Sequence, residues 1–475
     1  MRVAFFLFLF LSTFLTQPSA ATYLQVPGIS NVHSNFSRGR YDINQLAKMA
    51  QERGIEILIM TDHDLVAMTY GLPPFRHLLR YRKERDSVLK HGVESYFNNV
   101  KEINKKYPEV LIIPGIKSSP FYFWTGSYFK KNLTAHNYNK QLIVLGLEDP
   151  RLIREMPVIN NGLSLRFTRE LLPGVILFAL VFILALSLLF WSGFFRLCGL
   201  VLAALSLLFL LNEHPFKSIH YDPYDGDPGI GPYQDLIDYV GENGGMTFWV
   251  MPDSASHQSL PPITLDTKPH PDDLLISHGY TGFEVIYGDV MGAEQPGNVW
   301  DQVLAAYCRG ERTTPVFGIS GSNYYFEGKS EMKMEYFQTI FLLEKKTKAQ
   351  VYEALRSGRV YALRQLKGAR LRLDEFSVDG PNSKKSFSGE IASVLGNDPP
   401  KVFCSITTED NSPRQVELKI ISDGKIIKTV NGRTPLKVRF ADNEHKGVGR
   451  TYYRVEINDE FGNRIISNPI FVTFT

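Results

Sequence analysis

The sequence predicts an α/β protein: repeated β-α units forming a parallel sheet or barrel, interrupted by an apolar helical hairpin and followed by a β-sandwich. Three patterns predict it. Short apolar runs alternate with amphipathic helical stretches before about residue 170 and again after residue 213. An almost uncharged apolar segment separates these two stretches. Beyond about residue 369 the hydrophobic pattern changes to period two.

The chain opens with "MRVAFFLFLFLSTFLTQPSAAT": one positive charge at Arg2, an apolar run to about Leu15, and small residues at Ser19, Ala20 and Ala21. This is the grammar of a signal peptide, expected over residues 1–21, because the run is shorter than the roughly 20 residues a bilayer span needs. The first β-α stretch is expected over 22–170. Within it "DINQLAKMAQERG" is an amphipathic helix ended by Gly54, and "GIEILIMTDHD" is a buried strand ending in polar residues. "ESYFNNVKEINKKYP" follows as helix, then "EVLIIPGIKSS" and "KQLIVLGLED" as strands. The basic run "FRHLLRYRKERD" (Arg76, Arg80, Arg82, Lys83, Arg85) is expected on a solvated helix face.

Between Glu170 and Glu213 the only charge is Arg196. As a single helix this segment would reach roughly 60 Å, about twice the thickness of a bilayer's hydrocarbon core. It is expected to fold back at "WSGFFR", giving a transmembrane hairpin over 171–212. With an exported N-terminus both flanks are exoplasmic and Arg196 is cytoplasmic. That places the chain in a bacterial inner membrane with its folded parts in the periplasm.

The β-α pattern resumes over 213–367. "PYQDLIDYVGENGG" is helix and "MTFWVMPD" strand, "GFEVIYGD" is strand, and "VWDQVLAAYCRGE" is helix leading into "TTPVFGISGSN". The remainder, 368–475, should be a small Ig-like β-sandwich. In it "VELKIISDGKIIKTV" folds as a hairpin about Asp423-Gly424, and "PLKVRFAD", "TYYRVEIND" and "NPIFVTFT" add strands.

Composition excludes several function classes. With 52 Lys and Arg against 49 Asp and Glu, a formal charge of +3 gives no electrostatic case for nucleic acid. Cys198, Cys308 and Cys404 are too far apart for a zinc knuckle or a disulfide framework. "GISGS" around Ser320 is followed by many acidic residues but by only one histidine, His445, in another domain, which argues against a serine hydrolase. His136, His220, His257, His270 and His278 are scattered loop histidines. "HYDPYDGD" lacks the ligand spacing of an EF-hand.

The polar strand ends carry a resemblance. "HSNFSRG", "TDHD", "IIPGIKSS", "LIVLGL", "GGMTFWVMPD" and "FGISGSN" fall in the order of the motifs of the PHP (polymerase and histidinol phosphatase) superfamily, over roughly residues 28 to 365 apart from the hairpin. The resemblance implies a distorted barrel of seven β-α units, two or three Zn, Mn or Fe ions, and hydrolysis of phosphate esters by metal-activated water. Such chemistry needs converging imidazoles and carboxylates. Matched position by position, three residues keep a ligand type: His33, Asp62 and His63. Six positions depart from the pattern, with Asn31, Gln141, Met251 and Tyr325 where histidines are expected, Lys117 where a bridging glutamate is, and Asn323 where an aspartate is.

An ammonium repels a dication at short range, so Lys117 argues most strongly against the expected centre. The residual set is compatible with a single Zn or Mn ion or with none. Lys117 is expected to fill the vacated space and pair with Asp62. The sequence therefore predicts a PHP-like protein with a degenerate metal site and a binding or assembly role, with no residue assigned to catalysis. The alternative is an active phosphoesterase with an altered site. The membrane is the expected partner through 171–212; no nucleic acid is expected, and no protein partner is specified.

Overall fold

The computed structural model describes residues 23–328, 333–381, 384–396, 398–445, 447 and 449–475. The signal-peptide segment lies outside the described residues. Seven strands form the first part: β1 (Leu24–Val32), β2 (Ile57–His63), β3 (Leu111–Ser118), β4 (Leu142–Leu145), β5 (Met246–Trp249), β6 (Gly282–Ile286) and β7 (Phe317–Ser320). They lie side by side in the order β7-β6-β5-β4-β3-β2-β1, and the sheet continues through antiparallel β8 (Phe337–Leu343) and β9 (Val360–Arg364).

One expected feature is corrected. β4 runs antiparallel to both its neighbours, β3 and β5. No crossover helix separates β3 from β4. The chain instead turns over the end of the sheet through Phe123–Thr125 and Leu133–His136 and comes back in the opposite direction.

Most of these strands are apolar on both faces because both are covered. Leu58 and Met60 of β2, Ile112 and Ile116 of β3, and Leu142 and Val144 of β4 pack under helices α1 (Ile43–Glu52), α2 (Val93–Lys106) and others. The alternate residues Ile57, Ile59, Ile113, Ile143 and Leu145 enter a second core with Phe248, Ile319 and Phe341. α1 begins where Asp42 accepts from the Gln45 backbone N–H and Gln45 returns a bond to Asp42, and Gly54 follows its end with φ 65°.

The apolar segment forms two helices, α3 (Thr168–Leu188) and α4 (Phe194–Asn212), broken at Gly193 with φ 62°. Each is long and apolar enough to cross a membrane, and most of their side chains face outward. They approach closely at Gly199, where a Cβ would come within 2.9 Å of the Ala185 carbonyl. Helices α5 (Gly231–Glu242) and α6 (Val299–Cys308) then flank β5 and β7, and α7 (Lys348–Ser357) joins β8 to β9.

The basic run is also corrected. Arg80–Glu84 is an exposed strand paired antiparallel with Ala67–Gly71, not a helix. Its solvation agrees with the sequence pattern, but its backbone bonds go to a neighbouring strand whose residues Met68 and Tyr70 pack against an aromatic cluster.

After β9, two antiparallel sheets enclose one core. One contains Leu371–Asp379, Lys401–Thr408 and Leu436–Ala441; the other contains Gln415–Ser422, Lys425–Arg433, Arg450–Asp459 and Arg464–Ser467, and is extended by Ile470–Phe474, which pairs antiparallel with Arg450–Asp459 and parallel with Ile391–Val394. The second is continuous with the first part, because Arg464–Ser467 pairs with β9. The two parts are also tied by buried ions. Arg454 donates to both carboxylate oxygens of Asp301 on α6, at 2.8 and 2.7 Å, and to the Glu294 carbonyl. The Tyr452 hydroxyl donates to Asp301 as well, and Arg464 reaches the Glu294 carboxylate.

Arg454→Ala would leave Asp301 buried without its cation and is expected to cost about 3–5 kcal/mol, read by denaturant unfolding. A change below about 0.5 kcal/mol would show that the tie contributes little.

Candidate functional site

The polar residues singled out in the sequence lie at the ends of β1, β2 and β3 and just beyond β5 and β7. Which of them meet is decided by strand parity, since successive side chains point to opposite faces. Lys117 sits opposite His63 in the β2–β3 register, whereas Asp62 sits opposite Ile116. Lys117 and His63 therefore extend the face of Ile113 and Ile59, and Asp62 extends the face of Met60 and Leu58.

This overturns the expected pairing of Lys117 with Asp62. Asp62 is instead enclosed by the turn after β1: it accepts from the Ser34 backbone N–H (2.8 Å), the Ser34 hydroxyl (2.7 Å) and the Ser37 hydroxyl (2.6 Å). Both carboxylate oxygens are thus engaged away from the strand-end centre. Burial raises its pKa to about 6, and the three serine bonds oppose the rise.

Lys117 is 1% exposed. Its ammonium donates to Asn31 Oδ1 at 3.1 Å and to Asn323 Oδ1 at 3.0 Å. The Asn31 amide in turn donates to Glu284 Oε1 at 2.7 Å, and the backbone N–H of Met251 donates to Glu284 Oε2. A cation on β3 and a carboxylate on β6, on the same face of the sheet, are thereby joined through one amide. Burial lowers the Lys117 pKa and raises that of Glu284, and the charge of each opposes the other's shift.

The imidazoles complete the centre. His33 donates from Nε2 to Asn31 Oδ1 at 3.1 Å, which leaves Nδ1 unprotonated and without a partner among the described residues. Its ring stacks on Tyr325 at 4.1 Å and on His63 at 5.0 Å, and the Tyr325 hydroxyl lies 3.4 Å from His63 Nε2. Burial, then the charge of Lys117, pushes both histidines well below their ordinary pKa, so both are neutral.

Asn31, Met251 and Asn323 adopt left-handed backbone with φ of 61°, 44° and 43°. For Asn this is tolerated locally; for Met it is a strained conformation that the surroundings must maintain. Gln141 lies at the rim, donating to Ser119. It lines a narrow cleft with Arg38, His63, Leu65, Val66, Tyr122 and Tyr138, whose free volume of about 20 Å³ is room for about one water.

A metal does not fit this donor set. Among the described residues no three His, Cys, Asp or Glu side chains converge as a metal group. Asp62 is turned away, and the ammonium of Lys117 lies on the side of the sheet that carries His33 and His63.

The sequence reading missed Glu284, the carboxylate that completes the network. Its signal is a single glutamate inside the buried run "GFEVI", where an unpaired charge would not be stable. Ser34, Ser37 and the buried Asp64, which accepts from Ser118 at 2.5 Å, were also missed. The loop histidines form no common site: His136 and His257 flank Asp266, and His220 faces Asp235.

No protein-family model matches the chain, and no curated protein sequence does. Among the solved structures to which the chain is similar are these three. One is a two-domain protein from Bacteroides vulgatus containing a predicted PHP-like metal-dependent phosphoesterase (12% identity, 96% of this chain and 97% of that one, TM-score 0.37). Another is an inferred metal-dependent phosphoesterase from Bifidobacterium adolescentis (15% identity, 65% and 90% coverage, TM-score 0.28). The third is an amidohydrolase from Chromobacterium violaceum (13% identity, 63% and 88% coverage, TM-score 0.27). At such scores these likenesses carry no argument about mechanism.

Lys117→Met is expected to destabilise the protein by about 3 kcal/mol, because Glu284 and two asparagine carbonyls lose a buried cation. Glu284→Gln in the same chain should recover part of that loss. A double-mutant cycle with a coupling below about 0.5 kcal/mol would show that the two groups do not sense each other.

Proposed function

We propose that the chain is a PHP-like protein of a bacterial inner membrane that has exchanged metal-dependent hydrolysis for binding. In this reading a buried lysine stands where ions would bridge the strand ends. The carrying observation is the Lys117 ammonium, enclosed by Asn31 and Asn323 and linked through Asn31 to Glu284. Lys117, Asn31, Asn323 and Glu284, which would have to move to admit a dication, are hydrogen-bonded to one another in this network. Removing the cation alone would leave Glu284 buried and uncompensated.

Closure of the seven strands into a barrel is supported by the segment after β7, which returns to β1. Ser322 and Tyr324 donate backbone bonds to the Ser30 and Asn31 carbonyls, and His33 donates to Tyr324. The α3–α4 hairpin is proposed to anchor the chain, with the barrel and an Ig-like sandwich on the periplasmic side. The cleft beside the network is the proposed binding site. Arg38 supplies positive charge there, and Ser119, Tyr138, Gln141 and neutral His63 supply polar groups. This donor set suits an acidic group, and the free volume of about 20 Å³ admits no more than its tip unless the lining moves.

The test is phosphodiesterase and phosphomonoesterase assay of the full chain in detergent or lipid with added Mn or Zn. No metal-dependent turnover above background is expected. Turnover that His63→Ala abolishes would contradict the proposal and restore the enzymatic reading.

A further inference from the structure

We infer that the tip of the hairpin formed by Ala67–Gly71 and Arg80–Glu84 docks on the headgroup layer of an anionic phospholipid bilayer. The inference rests on the membrane reading of α3 and α4, and it adds a contact surface that this reading does not require.

The tip is attached to the end of the apolar segment. The backbone N–H of His77 donates to the side-chain carbonyl of Asn212, the last residue of α4, at 2.9 Å. The ring of Phe75 lies 4.9 Å from that of Phe209, which stacks on Phe178 of α3 at 4.8 Å. Phe209 precedes Asn212 by three residues, about 4.5 Å along the helix axis. The tip is therefore level with the last turn of the segment that would leave the hydrocarbon, and its height on α4 is fixed from both sides. His77 also bonds Asp222 at 3.1 Å, and the Tyr224 hydroxyl accepts from the backbone of Gly71.

Its surface has the two properties an interfacial segment needs. Leu72, Leu78, Leu79 and Tyr81 are exposed, Leu79 by 57% and Tyr81 by 73%. Interspersed with them are Arg76, Arg80, Arg82, Lys83 and Arg85, against the single acid Glu84 over residues 72–85. Only Arg82 among these five makes an ion pair among the described residues. Apolar side chains and tyrosine that have no protein partner gain burial at the headgroup boundary, while neighbouring cations gain from anionic lipid. A connection serving only as a solvated turn would have no use for the three leucines between the strands. The hairpin starts directly after Leu65 and Val66, which line the cleft with Arg38 and His63, so the five-residue strand Ala67–Gly71, roughly 17 Å long at about 3.3 Å per residue, separates the cleft from the docked tip.

The experiment uses the full chain in lipid nanodiscs, with Cys198, Cys308 and Cys404 replaced by alanine. An environment-sensitive fluorophore is placed at Leu79→Cys, at Tyr81→Cys, or at Ile426→Cys on the C-terminal hairpin as a reference. In discs containing phosphatidylglycerol and a lipid nitroxide just below the headgroups, strong quenching is expected at positions 79 and 81 and little at 426. Combined Arg80→Glu and Lys83→Glu should remove most of the quenching at 79 and 81.

Quenching at 79 and 81 no greater than at 426, in a chain that has entered the discs, would overturn the docking but leave the anchor intact. Strong quenching indifferent to charge reversal would overturn the role of anionic lipid. A chain that stays soluble without lipid or detergent would overturn the membrane reading itself.

Discussion

The buried ammonium of Lys117 is the constraint on which the strand-end centre depends. A cation removed from water needs acceptors in place; two asparagine carbonyls provide them, and the Asn31 amide holds the carboxylate of Glu284 nearby. The neighbouring features follow from that need. Asn31, in left-handed backbone, turns its carbonyl to the lysine and its amide to Glu284, and Asn323, beyond β7 and also left-handed, turns its carbonyl to the lysine. The histidines stay neutral beside the cation, and the Tyr325 ring fills the space next to His33.

The same network fastens together what the apolar hairpin divides. Asn31 and Lys117 precede α3 and α4 in the chain, whereas Glu284, Asn323 and Tyr325 follow them. A lysine cation here ties the strand ends together through hydrogen bonds. A second buried ion system, Arg454 with Asp301, holds the C-terminal sheets to α6. Both are buried pairs whose loss of one partner strands the other, so the three segments of the chain depend on two internal charges.

Much of the fold was legible because its signals are local. The capped helix at Asp42, the Asp423-Gly424 turn with φ of 46° and 75°, the break at Gly193 and the buried strand before His63 each follow from a few adjacent residues. The direction of β4 was not, since it depends on the path of the preceding twenty-odd residues rather than on "LIVL" itself. The basic run misled because its charge pattern suits a helix, while pairing with Ala67–Gly71 decided its backbone.

At the site, the positions were legible and the pairing only partly so. Motif order placed Asn31, His33, His63, Lys117, Asn323 and Tyr325 in one centre, but the partner of Lys117 was misassigned. Counting parity along "ILIMTDH" would have separated Asp62 from His63, and a lone glutamate in "GFEVI" was the overlooked acid. The central claim is that Lys117 takes the place of a metal. It is tested most directly by elemental analysis of full-length protein purified without chelator from cells supplied with Zn and Mn. The account predicts only trace amounts of either. About one ion or more per chain, lost on His63→Ala, would contradict it.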